Sequence, residues 1–208
     1  MQKKHFLLTG ILISLTLLLV ATLYYPGGSQ NDINSVGFNW QHNYLCNLFG
    51  EKAVNGADNA SRPWAIAGML VLCVSVALFF YEFSKKISEK GSANIIRYCG
   101  ISAMVLALLA ATPYHDSGIA IAGTLELLSM FYITVFVFRS NLHLFKVLSV
   151  VCLLVFYTCN FVYYTQNYLY FLPVLQKVLL GLSITWVLSL HYFTTAADFQ
   201  SVKKANNS

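Results

Sequence analysis

The chain has 208 residues, of which 57% are hydrophobic and 10% are charged, against about 25% charged in an average soluble domain. That composition excludes an ordinary soluble enzyme and leaves an integral membrane protein. The formal charge of +5 does not point to nucleic acid, because the 13 lysines and arginines are sparse and cluster at the ends of apolar segments.

The first apolar run, about 6–25, follows Gln2-Lys3-Lys4-His5 and ends in Tyr24-Tyr25. A signal peptide is the rival reading. No Ala-x-Ala pattern precedes Pro26-Gly27-Gly28, so the run reads as a retained first helix. A polar loop, 26–62, comes next. It is dense in Asn, Gly and aromatic residues without low complexity, and a connection of that length usually folds over something. Within it, Asn55-Gly56 reads as a turn; the Asp-x-Asn-x-Asp-Gly spacing of a calcium loop is missing. Asn59-Ala60-Ser61 matches a glycosylation acceptor, against which the nearby Pro63 and membrane argue.

Pro63 suits the first turn of a second helix, about 64–82. A basic connection with Lys85, Lys86, Lys90 and Arg97 leads to a third helix, about 94–113. Only Tyr114, His115 and Asp116 separate it from a fourth, about 117–138, so these two form a tight hairpin. A second basic turn with Arg139 and Lys146 precedes a fifth helix, about 144–164. Pro173 opens a sixth, about 173–192, and the polar tail 194–208 is expected to be mobile. The fold class is therefore all-α: one polytopic membrane domain of six transmembrane helices with a structured outer loop. Gly68, Gly100, Gly123 and Gly181 are expected at close helix contacts.

Orientation follows from basic residues. Lys3, Lys4, Lys85, Lys86, Lys90, Arg97, Arg139, Lys146, Lys203 and Lys204 fall on one side, and Lys52, Arg62 and Lys177 on the other. Positive-inside then puts both termini in the cytoplasm of a cell-membrane protein, with loop 26–62 outside.

Chemistry is expected on that outer face. Its connections carry His42, Glu51, Asp58, His115 and Asp116. Zinc held by His42, His115 and Asp116, with Glu51 or Asp58 as general base, is one possibility, although no local ligand spacing supports it. The plainer readings make Asp116 the cap of the fourth helix and His42 part of an aromatic segment at headgroup level. Glu126 lies roughly 12 Å into the fourth helix, where a carboxyl must be protonated, paired or wet. Lys177, Asn160 and Gln176 fall near the same level; Lys177 can pair with Glu126 or reach the interface. Cys46 stands alone in the loop, and the other four cysteines lie in apolar segments, so no disulfide framework is implied.

The leading expectation is an outer-face pocket for a membrane lipid or small amphiphile. Asp32, Ser35, Asn39, His42, Arg62, His115 and Asp116 would line its mouth, with Glu126 beneath. The rivals are the metal-dependent lipid hydrolase and an assembly protein whose aromatic loop engages a membrane-protein partner. No nucleic-acid partner is implied, and the oligomeric state stays open.

Several short motifs carry a resemblance: Asp32-x-x-Ser35-x-Gly37, Asn55-Gly56, the Pro63-led helix with Gly68-Met69, and Thr112-Pro113-Tyr114-His115-Asp116. In these the chain resembles a prokaryotic six-helix membrane family of unknown function, loosely similar to the DRAM and Frag type proteins. The resemblance implies a fold and no activity. The chain is also similar in outline to the CREST superfamily of membrane hydrolases, whose zinc sites include a His-x-x-x-His pair on the last helix. Here that helix offers only His191, with Thr195 four positions later, which departs from the pattern.

Overall fold

The computed structural model describes residues 5–200. Lys3, Lys4, Lys203 and Lys204 lie outside the described residues. Six helices are long and apolar enough to cross a membrane: α1 (Phe6–Leu23), α2 (Arg62–Ser84), α3 (Lys90–Ala107), α4 (His115–Arg139), α5 (His143–Thr165) and α6 (Leu172–Phe193). A 3-10 turn, Leu108–Ala111, extends α3, and a short helix, α7 (Ala197–Gln200), follows α6. Among the described residues there is no strand. Side chains such as Leu12, Val74, Val105, Phe131, Leu154 and Val178 point outward from the bundle. An apolar exterior of this kind suits hydrocarbon, with the backbone groups satisfied inside each helix.

The helices form three antiparallel pairs. The first is locked by Ser14 on α1, whose hydroxyl donates to the Gly68 carbonyl on α2 at 2.7 Å. Between α2 and α3, Gly100 meets the Phe80 ring so closely that a Cβ there would stand 2.3 Å from Cγ. Small residues bring helix backbones together in this way where no hydrophobic drive separates protein from lipid. Gly181 does not play that part: a Cβ there would touch nothing. A core of Phe79, Phe80, Phe83, Ile133, Val137, Trp186 and Leu190 fills one half of the bundle. The Trp186 indole N–H donates to the buried Ser149 hydroxyl at 2.8 Å, as a buried indole requires.

At the end carrying the α2–α3 connection, Lys86 caps α6. Its ammonium donates to the carbonyls of Leu190, His191 and Thr194 at 3.0, 3.3 and 2.8 Å, an arrangement favoured by the negative end of the helix dipole. Burial nevertheless pulls its pKa down to about 8. The segment after α6 corrects the expectation of a mobile tail over its described part. Phe199 of α7 is buried and packs edge-on against Phe83 at 5.3 Å, because one aromatic side chain suffices to dock an otherwise polar segment.

The opposite end is covered by the loop between α1 and α2. It has few regular backbone ladders, so its buried polar groups are satisfied by asparagine side chains. Asn43 is fully buried; its amide donates to the Gly28 carbonyl at 2.8 Å, and its oxygen accepts the Asn39 N–H at 2.8 Å. Asn59 donates to the carbonyls of Asn47 and Gly50 at 3.0 and 2.9 Å, and its oxygen accepts the Ser61 N–H at 3.2 Å. The glycosylation acceptor read from the sequence is thus an internal brace, with its amide occupied. Gly28 has φ +81, and a Cβ there would approach the Asn55 nitrogen to 2.3 Å, so the chain needs glycine at this crossing. Tyr25 is buried below, its phenol accepting the Val54 N–H at 3.0 Å, and burial raises its pKa.

Candidate functional site

A cavity of about 450 Å³ opens beneath the loop, between α4, α5 and α6. It exists because α3 packs tightly on α4 and α5 on α6, while α4 and α6 barely touch. Its walls are largely apolar, with Ile119, Ala122, Phe156, Leu172 and Leu179 among them. Gly123 faces across it: a Cβ there would lie 3.8 Å from Asn160 Oδ1 and Phe156 Cζ, in ordinary contact.

Polar groups gather at its two ends. At the mouth stand Tyr44 and Cys46 from the loop, His115 and Asp116 from the first turn of α4, and Tyr163 from α5. Cys46 sits on a short 3-10 turn, Leu45–Phe49, held by the buried Leu48 and Phe49 and by the Asn47 oxygen, which accepts the Tyr44 N–H at 2.7 Å. It lines the same cavity mouth as His115. His115 Nδ1 is 2.9 Å from Asp116 Oδ1, and the Tyr163 hydroxyl donates to the same oxygen at 3.1 Å. His115 Nε2 is buried without a hydrogen-bond partner. Burial raises the pKa of the Tyr44 phenol, with the neighbouring Cys46 adding to the shift.

At the floor is Glu126, roughly 16 Å below His115 along α4 by its helical rise. Glu126 is half-buried, lines the cavity, and has no hydrogen-bond or ion-pair partner among the described residues. Gln176 also reaches the cavity, and its buried side-chain oxygen has no partner. Asn160 joins them; its amide donates to the Phe156 carbonyl at 2.9 Å.

Of the residues proposed from the sequence, His115, Asp116 and Glu126 line this cavity, as do Asn160 and Gln176 near the Glu126 level; Asp32, Ser35, Asn39, His42, Glu51, Asp58, Arg62 and Lys177 do not. Asp32, Ser35 and Asn39 are spent on turns. The Asp32 side chain accepts the Asn34 N–H at 2.9 Å, the Ser35 hydroxyl donates to the Asp32 carbonyl at 2.9 Å, and the Asn39 oxygen accepts the Gln41 and His42 N–H groups at 3.0 and 3.1 Å. His42 stands away from the cavity wall. Arg62 bridges Glu51 at 3.3 Å and reaches the Ala111 carbonyl at 3.5 Å. Asp58 pairs with Lys52, whose hydrogen bond holds its carboxyl below the usual range.

Two further expectations are corrected. Lys177 does not pair with Glu126; its ammonium donates to the Asn43 and Pro173 carbonyls at 2.7 and 2.8 Å, pinning the loop onto α6. Asp116 does not cap α4: it is the second residue of the helix, makes no cap bond, and turns to His115 and Tyr163 instead. The set His42, His115 and Asp116 is not assembled, and among the described residues no three His, Cys, Asp or Glu side chains come together as metal ligands.

Sequence reasoning named Cys46 only to dismiss a disulfide. Its one legible signal was a thiol placed in the same polar face as the His115-Asp116 dipeptide. No family model, curated protein or solved structure matches the chain.

Proposed function

We propose that the protein binds a lipid or small amphiphile in the cavity between α4, α5 and α6, on the outer face of a cell membrane. The observation that carries this reading is a cavity with apolar walls, a polar mouth and an unpartnered carboxyl at its floor. An elongated ligand with an apolar body and polar groups at both ends matches that distribution. Glu126 and Gln176 are then receptors for hydrogen-bond donors of the ligand or of waters below it, since a carboxyl at this depth of the bundle without a partner is costly.

The orientation rests on charge. Lys85, Lys86, Lys90, Arg97, Arg139 and Lys146 sit toward the end opposite the loop, and Lys52, Arg62 and Lys177 toward the loop end. Positive-inside therefore turns the loop and cavity mouth outward and both termini toward the cytoplasm.

The test is photo-crosslinking in nanodiscs with a diazirine-bearing long-chain alcohol. Adducts are expected on α4 and α5 peptides around Gly123 and Asn160. The Gly123→Leu substitution places a side chain across the cavity and is expected to reduce labelling at least about tenfold, a loss of about 1.4 kcal/mol in binding. Equal labelling of the parent and Gly123→Leu proteins would refute the pocket reading.

A further inference from the structure

We propose that the amphiphile taken by this cavity is an amine, an organic cation with an apolar body, whose ammonium group seats at the floor against Glu126. The proposal rests on the amphiphile-binding reading above and specifies the charge and polar group of the ligand.

The first observation is the balance of charge along the walls. Two carboxyls line the cavity, Asp116 at the mouth and Glu126 at the floor, and no lysine or arginine does. The cations at this end of the bundle are engaged elsewhere. Lys177 donates to the Asn43 and Pro173 carbonyls, Arg62 bridges Glu51, and Lys52 pairs with Asp58. His115 is the one lining side chain able to carry positive charge, and Asp116 engages it at 2.9 Å. It stands roughly 16 Å of helix above Glu126. The floor carboxyl is therefore left without a compensating charge from the described residues, at a depth where such a group is normally paired or functional.

The second observation is that the other polar groups near the floor present oxygen acceptors with nothing to accept. The Asn160 amide is committed to the Phe156 carbonyl at 2.9 Å, and its oxygen faces α4 beside Gly123 with no donor among the described residues. The Gln176 side-chain oxygen is buried and has no partner. Helices α4, α5 and α6 thus each bring an unsatisfied oxygen to one cavity. An alkylammonium carries three donors, a positive charge and no acceptor. A hydroxyl brings one donor and no charge, and a carboxylate or phosphate would set like charge against Glu126. Desolvating an ammonium offsets much of the attraction of a bare buried ion pair, and acceptors such as the Gln176 and Asn160 oxygens are what make such a pair favourable.

The rest of the cavity suits the same ligand. An apolar body packs among Ile119, Phe156, Leu172 and Leu179. At the mouth, the Tyr163 hydroxyl and His115 both engage Asp116 Oδ1, which leaves Oδ2 of this exposed carboxyl unpartnered among the described residues. Tyr44 and Tyr164 stand beside it, and aromatic faces attract organic cations. An arriving amine meets one carboxyl at the entrance and a second at the floor.

The test labels the full-length protein in phosphatidylcholine nanodiscs near neutral pH with three diazirine probes of one chain length, ending in a primary amine, an alcohol and a carboxylic acid. Labelling of the α4 and α5 peptides is expected to be strongest with the amine and weakest with the acid. Comparing amine-to-alcohol ratios between parent and variants cancels the different partitioning of the probes into the bilayer. Glu126→Gln keeps the shape and one acceptor oxygen but removes the charge, and is expected to lower that ratio about tenfold or more, the scale of a lost charged hydrogen bond. Glu126→Asp is expected to retain part of the preference. Gln176→Leu removes one acceptor and is expected to lower the ratio about threefold, which gives a second reading should Glu126→Gln fail to fold. An amine-to-alcohol ratio unchanged in Glu126→Gln and in Gln176→Leu would overturn the amine; the pocket itself would still stand if alcohol labelling remained sensitive to Gly123→Leu. Equal labelling of the parent and Gly123→Leu proteins by both probes would instead overturn the pocket.

Discussion

Replacing Asn59 by alanine tests whether the loop is held by asparagine braces. The parent amide donates to the Asn47 and Gly50 carbonyls at 3.0 and 2.9 Å and lies 3.4 Å from the Leu48 carbonyl, while its oxygen accepts the Ser61 N–H. Alanine removes all of these and leaves the partners inside a segment where Leu48 and Ser61 are fully buried. Each lost bond costs about 1 kcal/mol, more where the orphaned group stays buried. Two strong donor bonds and two acceptor bonds, from the Ser61 N–H and hydroxyl, therefore sum to about 2–4 kcal/mol, or roughly 30- to 700-fold in the local opening equilibrium. Hydrogen exchange in nanodiscs reads this directly. The Ala53, Asn59 and Ser61 amides, bonded to the Ala57 and Glu51 carbonyls and to the Asn59 side chain, are expected to exchange faster by that factor. Amides in the middle of α2 are expected to keep their rates, because the opening is confined to the loop. Asn59→Asp retains the acceptor and loses the donors, and should fall between the two. Unchanged loop exchange in Asn59→Ala would refute the brace.

Lys177→Met removes the ammonium that pins Asn43 and Pro173. The loss of a charge-assisted bond is expected to cost about 1.5–3 kcal/mol, seen as faster exchange over residues 43–47 while α2 and α3 keep their protection. Gly100→Ala forces a Cβ to within 2.3 Å of the Phe80 ring and is expected to destabilise the α2–α3 contact by about 1–3 kcal/mol. Unfolding titrations should show that loss, and Phe80→Leu in the same chain should recover part of it. For Lys86, burial holds the amine near pH 8, below the ordinary lysine value of 10.5. Between those values the unfolded chain binds more protons, so the Lys86 contribution rises as pH goes from about 8 to 10.5 and falls as pH drops through 8. The Tm difference between the parent and Lys86→Met should follow that slope, and a flat or reversed difference would refute the buried amine.

The helices were legible because hydrocarbon leaves one solution for a run of apolar residues: a helix of about 20 residues with its backbone bonds closed internally. Boundaries moved by a few residues. The largest shift was in the third helix, read at 94–113 and found as Lys90–Ala107 with a 3-10 extension, because Lys90, read as part of the basic connection, opens the helix and Gly91 and Ser92 are tolerated in its first turn. The loop was singled out correctly as structured, yet its acidic and hydroxyl residues were assigned to a ligand. Asp32, Ser35 and Asn39 instead satisfy nearby backbone groups, a competition that short polar side chains usually win locally.

What the sequence by itself determined is the six-helix architecture and the clustering of its polar residues toward one end, since both follow from the lengths of apolar runs and the sites of charge. Only the tertiary structure decided which of those polar residues meet. Lys177 reaches Asn43 across 134 positions, and Cys46 of the loop comes to line one cavity mouth with His115 of α4, because loop folding and the gap between α4 and α6 depend on long-range packing. No local periodicity encodes that packing.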